Sequence, residues 1–150
     1  MKLWTVLVMI VLLLGGCSWN KDASKNESMN SVVAGSSAAT KLLNALEAHE
    51  SDINILDSDK SKIVFVLYYD NNDKISEYLS EMKSEGYEQT VYDATISSTV
   101  TLENKNQTIS ITMISDLEEF KKVNREKGQK YQDQLDNISD INMMVEIKEN

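Results

Sequence analysis

Seven consecutive apolar or aromatic residues, Ile63–Tyr69, stand between Lys62 and Asp70. A helix of that length would make less than two turns, and most of the side chains are β-branched or aromatic. The run therefore reads as a central β-strand buried on both faces. Whatever fold the chain adopts has to assemble around it.

The residues on either side supply that cover. Asp70–Asn71–Asn72–Asp73 is an acidic turn that opens a helix, with Asp73 as the expected N-cap and Ile75, Tyr78, Leu79 and Met82 as one apolar stripe. Gly86 is placed to close that helix in the left-handed conformation. The turn has calcium-ligand residue types but neither the loop glycine nor the bidentate glutamate of a calcium loop, so no metal is assigned to it. Upstream, Ala39, Leu42, Leu43 and Leu46 recur at helical spacing and predict a helix over Ala38–Glu50 capped by Ser37. It carries the only histidine, His49, read as a solvated residue near a helix end. Asp57–Ser58–Asp59 reads as a polar turn.

Beyond Gly86 the apolar period changes to two. Strands are expected over Glu88–Ala94, Ser97–Glu103 and Thr108–Ile114, the last two joined by a hairpin at Asn104–Lys105–Asn106. In Thr108–Ile114, the side chains of Ile109, Ile111 and Met113 point one way and those of Thr108, Ser110 and Thr112 the other. That pattern gives a sheet with one buried and one wet face. Ser115–Asp116–Leu117–Glu118 has the form of a capping box and opens a long polar helix through Leu135, thinly supplied with apolar contacts and interrupted by Gly128. Ile141, Met143, Val145 and Ile147 make a final strand. The expected order, α–β–α–β–β–β–α–β, defines an α+β fold: a single small domain over residues 38–150, with a mostly antiparallel open sheet and helices on one face. Without the first helix and one hairpin strand it becomes β–α–β–β–α–β, the split arrangement of ferredoxin-like folds.

The amino terminus is of another kind. Leu3–Leu14 is apolar but shorter than the roughly 20 residues a bilayer core requires, and Gly15–Gly16–Cys17 ends it. The profile is that of a signal peptide with a small-residue cleavage site. Leu14–Gly15–Gly16–Cys17 resembles the lipobox of bacterial lipoproteins. The resemblance implies cleavage after residue 16, lipid on the thiol of Cys17, and display on the extracytoplasmic face of the cell membrane, or on an outer membrane where the cell has one. Cys17 is the only cysteine, so an intramolecular disulfide and multi-thiolate metal sites are excluded. The diacyl chains of such an anchor hold a protein stably where a single chain would not. Residues 17–37 carry Ser, Asn, Lys and Gly without apolar periodicity and read as a disordered linker. Trp19 is placed for the membrane interface, and Lys21 and Lys25 for anionic headgroups.

The formal charge is −9, and loss of the signal peptide, which contains Lys2 and no acid, moves it to −10. Such a surface repels phosphate backbones, and no basic patch with interleaved aromatics is present, which argues against nucleic acid. One histidine, a lipidated cysteine and no glycine-rich phosphate loop argue against an enzyme, a cofactor or a catalytic metal. The expectation is a monomeric, non-catalytic interaction module that meets another envelope protein, of the kind used for exclusion or immunity by mobile elements. The alternative is a binding module for a small ligand or envelope polymer. A flat sheet face would favour the first and a concave apolar pocket the second. Tyr68, Tyr69, Tyr87 and Tyr92 are the candidate contact residues, because tyrosine buries large area with few rotors to freeze.

Overall fold

A computed structural model describes residues 35–128 and 130–150. The expected signal peptide, Cys17 and the expected linker through residue 34 lie outside the described residues. Four helices and six strands follow in the order α1 (Ser37–Leu46), β1 (Ile53–Ser58), β2 (Lys62–Leu67), α2 (Asn72–Ser84), β3 (Glu88–Asp93), β4 (Ser97–Glu103), β5 (Gln107–Ile114), α3 (Leu117–Glu126), α4 (Gln132–Asp136) and β6 (Met143–Glu149). All strands join one open antiparallel sheet in the order β1-β2-β6-β5-β4-β3. The fold is α+β and the central strand is β2, whose residues Ile63 to Leu67 are all buried.

Strand alternation divides β2 between two cores. Ile63, Phe65 and Leu67 pack with Val145 and Ile147 of β6, Ile109 and Ile111 of β5, and the buried stripes of α1 and α2. Val64 and Val66 face the other way, where Phe120 of α3 and Leu135 of α4 cover them together with Leu56 and Ile141. Helices α1 and α2 thus share one face, as the sequence led us to expect. Helices α3 and α4 in addition cover part of the opposite face, which is how a run as apolar as Ile63–Leu67 is buried on both sides. A leucine truncated in either core would cost about 2–5 kcal/mol.

Several boundaries differ from the sequence reading for physical reasons. Glu47 adopts a left-handed φ of 55° and ends α1 at Leu46, with the Ala48 N–H bonded back to the Leu43 carbonyl at 3.0 Å. The N-cap of α1 is Ser36, and that of α2 is Asn71 rather than Asp73. Asp57 and Ser58 end strand β1 instead of forming a turn. The expected long helix is two short ones, because Gly128 turns the chain at φ 64°. Asp116, not Ser115, caps α3 through Glu119 N–H at 3.0 Å. The Asn142 side chain clamps the Tyr69 backbone, accepting from its N–H at 2.7 Å and donating to its carbonyl at 2.6 Å. The β2 and β6 ladder stops there, and β6 starts at Met143. Strands β2 and β3, joined by α2, run parallel with three strands between them, because β6 inserts beside β2. The ferredoxin-like arrangement is not adopted: β5 and β6, joined by α3 and α4, are antiparallel neighbours rather than a parallel pair around an intervening strand, and β2 and β3 have three strands between them instead of one.

Candidate functional site

The uncovered half of the face opposite α1 and α2 is built from alternate residues of four strands. Register places Tyr92, Thr99, Thr112 and Met144 in one row across β3, β4, β5 and β6. Thr90, Thr101, Ser110 and Glu146 form the next row, and Glu88, Glu103, Thr108 and Lys148 a third. Threonine suits these positions, since its branched side chain fits the pleated backbone while the hydroxyl stays hydrogen-bonded. Thr99 and Thr112 hydroxyls lie 3.0 Å apart, and those of Thr101 and Ser110 lie 3.4 Å apart. Lys148 pairs with Glu146 at 2.6 Å at the margin. Of the wet face expected from Thr108, Ser110 and Thr112, Thr108 and Ser110 are half-buried and Thr112 is buried, while the face becomes exposed towards β3 at Glu88, Thr90 and Tyr92. It offers hydroxyls ordered in cross-strand pairs and one large exposed aromatic.

The four tyrosines do not form one cluster. Tyr69 packs against the core beneath α1 and α2, and its phenol is shifted above the ordinary value by burial and then by Glu47. Tyr87 packs against the same core and donates to Gln107 at 3.1 Å. Tyr92 stands on the hydroxyl face with 71% of its surface exposed. Tyr68, just beyond β2, is 54% exposed. The row through Tyr92 reaches Val66 of β2 and continues to Asn54 of β1, and four strand spacings of about 4.8 Å put roughly 19 Å between Tyr92 and that end of β2. Of the four, Tyr68 and Tyr92 are exposed, and Tyr69 and Tyr87 are half-buried against the core.

Sequence reasoning missed a polar cluster where α3 and α4 meet the sheet. Asp57 accepts from Lys62 at 3.0 Å, Lys130 at 2.8 Å and the Tyr131 hydroxyl at 3.1 Å. Lys62 also donates to that hydroxyl at 2.7 Å, and both ammonium groups lie over the Tyr131 ring at 5.4 and 5.7 Å. The bond from Lys130, followed by that from Lys62, holds the Asp57 carboxyl far below the usual range. Bonds to Tyr131 and Asp57 push Lys62 above its own. Lys121 is buried on α3 and donates to the Ile138 carbonyl at 2.8 Å. These contacts tie α3 and α4 down. Only the register of β1 brings Asp57 to Lys62, and nothing local in the sequence signals it.

Among the described residues no group of three or more His, Cys, Asp or Glu is placed to hold a metal ion, and no helix is long and apolar enough to cross a membrane. His49 is exposed and donates its backbone N–H to Asp52 at 3.0 Å. Depressions open to solvent include one of about 450 Å³ at Ser58–Lys62 and one of about 660 Å³ at Asn104–Asn106, neither with an aromatic side chain, and one of about 390 Å³ lined by Tyr87 and Gln107. Comparison with protein-family models, with characterised proteins and with solved structures finds no match.

Proposed function

We propose that this chain is a lipid-anchored, extracytoplasmic module that binds another envelope protein and performs no catalysis, in the manner of the exclusion or immunity proteins of mobile elements. The observation that carries this reading is the face of cross-strand-paired hydroxyls with the exposed Tyr92 on its outer strand. Flat, tyrosine-bearing surfaces suit protein partners, whereas small ligands require concave apolar sites. The anchor is the lipid on Cys17 implied by the lipobox, which holds the module at the membrane face.

Two substitutions test the two halves of the proposal. Cys17→Ala should release the protein from the membrane fraction and change its processed size; unchanged fractionation and processing would remove the anchor. Tyr92→Ala should leave the melting temperature within about 1 °C, since an exposed side chain contributes little to folding. It should weaken capture of a crosslinked membrane protein by about tenfold or more, the scale of an interface hot spot. Equal capture by both forms would move the contact surface elsewhere.

A further inference from the structure

The two edges of the sheet are finished differently. On β1 the register shifts by a bulge between Ile55 and Asp57, and Gln134 of α4 donates to the Leu56 carbonyl at 3.2 Å. Such bulges and covering elements blunt an edge against strand addition. The opposite edge, β3, has none of them. Its pairing with β4 is regular over Glu88–Asp93, it contains no proline or lysine, and every residue except Gln89 is exposed. The Ala94 N–H bonds to the Ser97 carbonyl in the closing turn. Antiparallel alternation from that pair leaves the backbone groups of Gln89, Val91 and Asp93 pointing outward. Val91, 55% exposed, lies on the helix side of this edge.

Charge narrows what can add there. Glu88 and Glu103 are directly opposite each other across β3 and β4, and neither has an ion pair among the described residues. They border the open depression of about 660 Å³, which Glu85 and Lys105 also line, so three acids face one cation there. Like charges in directly opposed positions are unfavourable. A second copy is a poorer occupant: the outward groups of Gln89, Val91 and Asp93 allow antiparallel self-pairing centred on Val91, which sets Asp93 of each copy against Gln89 of the other and Glu88 against Ala94, so neither acid meets a cation, in chains that each carry −9.

We propose that the outer edge of β3 is a docking strand for an extended segment of a partner protein that carries lysine or arginine beside Glu88 and, three residues along, an apolar side chain beside Val91. Main-chain bonds to Gln89, Val91 and Asp93 hold the added strand, and the cation relieves the repulsion between Glu88 and Glu103. The proposal rests on the reading of this chain as a protein-binding module and names the surface and chemistry of the partner.

The test uses the full chain in detergent and a synthetic peptide with the pattern lysine, threonine, threonine, valine between serines, in both chain orders, against the same peptides with glutamate in place of lysine. The lysine peptide should slow hydrogen exchange at the Gln89, Val91 and Asp93 amides, and the glutamate peptide should not. Glu88→Gln should weaken the lysine peptide by about threefold, the scale of one exposed charge pair. Val91→Pro removes an outward N–H without touching the ladder to β4 and should abolish binding. Should that variant misfold, Glu88→Gln still decides, because its side chain is exposed and without an ion-pair partner. Equal protection by both peptides, protection elsewhere, or concentration-dependent pairing of β3 with a second copy would overturn the proposal. If β3 fails while Tyr92 still governs capture of a membrane protein, this inference falls and the functional reading stands; loss of capture altogether defeats both.

Discussion

Replacing Asp57 by Asn tests how the second helical layer is held. The substitution keeps the shape of the side chain and removes the charge that faces Lys62 and Lys130. Lys130 is 68% exposed, so its arm is worth no more than about 1 kcal/mol in water. Lys62 contributes more. Its side chain and that of Asp57 are 19% and 18% exposed, where a bond to a charged group contributes about 1.5–3 kcal/mol. Lys62 keeps the Tyr131 hydroxyl, which lowers the loss. The net cost should be about 2 kcal/mol, or about 6–10 °C in melting temperature for a domain of this size. The pH dependence has a definite sign. The Asp57 carboxyl is lowered on folding, so its contribution is complete well above the ordinary value of 3.8 and is lost as pH falls towards the folded value. Lys62 is raised, so its share persists below 10.5 and is lost only as pH climbs through the higher folded value. The difference between wild type and Asp57→Asn should therefore be flat from about pH 5 to 9 and shrink in strong acid. Hydrogen exchange should show α3 and α4 opening before the α1 and α2 face. An unchanged unfolding midpoint, or first opening in α1 and α2, would refute the assignment of this cluster as the tie between layers.

Two further outcomes follow from single atoms. The Tyr78 hydroxyl is buried without a hydrogen-bond partner, and burial drives its ionisation upward; Tyr78→Phe should stabilise by up to about 1 kcal/mol in urea unfolding, and a loss of stability would reveal a partner for the hydroxyl. Gly128→Ala should destabilise by about 1–2 kcal/mol through backbone strain alone, because φ is 64° and an added Cβ meets nothing within 4 Å; an unchanged unfolding midpoint would show that the turn between α3 and α4 relaxes freely.

The elements that could be read from sequence are those whose apolar period is intact. The stripe Ile75, Tyr78, Leu79 and Met82 located α2, and the alternation in Thr108–Ile114 gave both faces of β5. Ile53–Ser58 escaped because the bulge puts Leu56 and Asp57 out of step with Ile53 and Ile55, so no two-residue period survives along it. The break at Gly128 was visible as a glycine, but whether it bends or merely weakens a helix depends on what lies beneath, and Leu135 has to turn back onto Val64 and Val66. The same limit applies to the candidate site. Local pattern identified the wet face through its threonines. It could not separate Tyr92 from Tyr69 and Tyr87, since that assignment depends on where α1 and α2 end and on the side chain of Asn142.

The distribution of cover over the sheet bears on how an acidic module could stay soluble and still accept a strand. Strand β2 is covered on both faces, and the edge strand β1 is bulged and capped by Gln134 at Leu56, with the half-buried Asp57–Lys62 pair and the apolar side chains of α3 and α4 beside it. Strand β3 has no such support, and its attachment is the β4 ladder with Tyr87 at its base. A bare edge ordinarily invites self-association. Here charge opposes it: the register that joins the outward groups of two β3 strands leaves Glu88 and Asp93 of each copy without a facing cation, in chains that each carry −9. The same charges would favour a basic strand. One arrangement of side chains would then exclude the wrong partner, another copy of this chain, and select the right one, without adding to the stability of the fold.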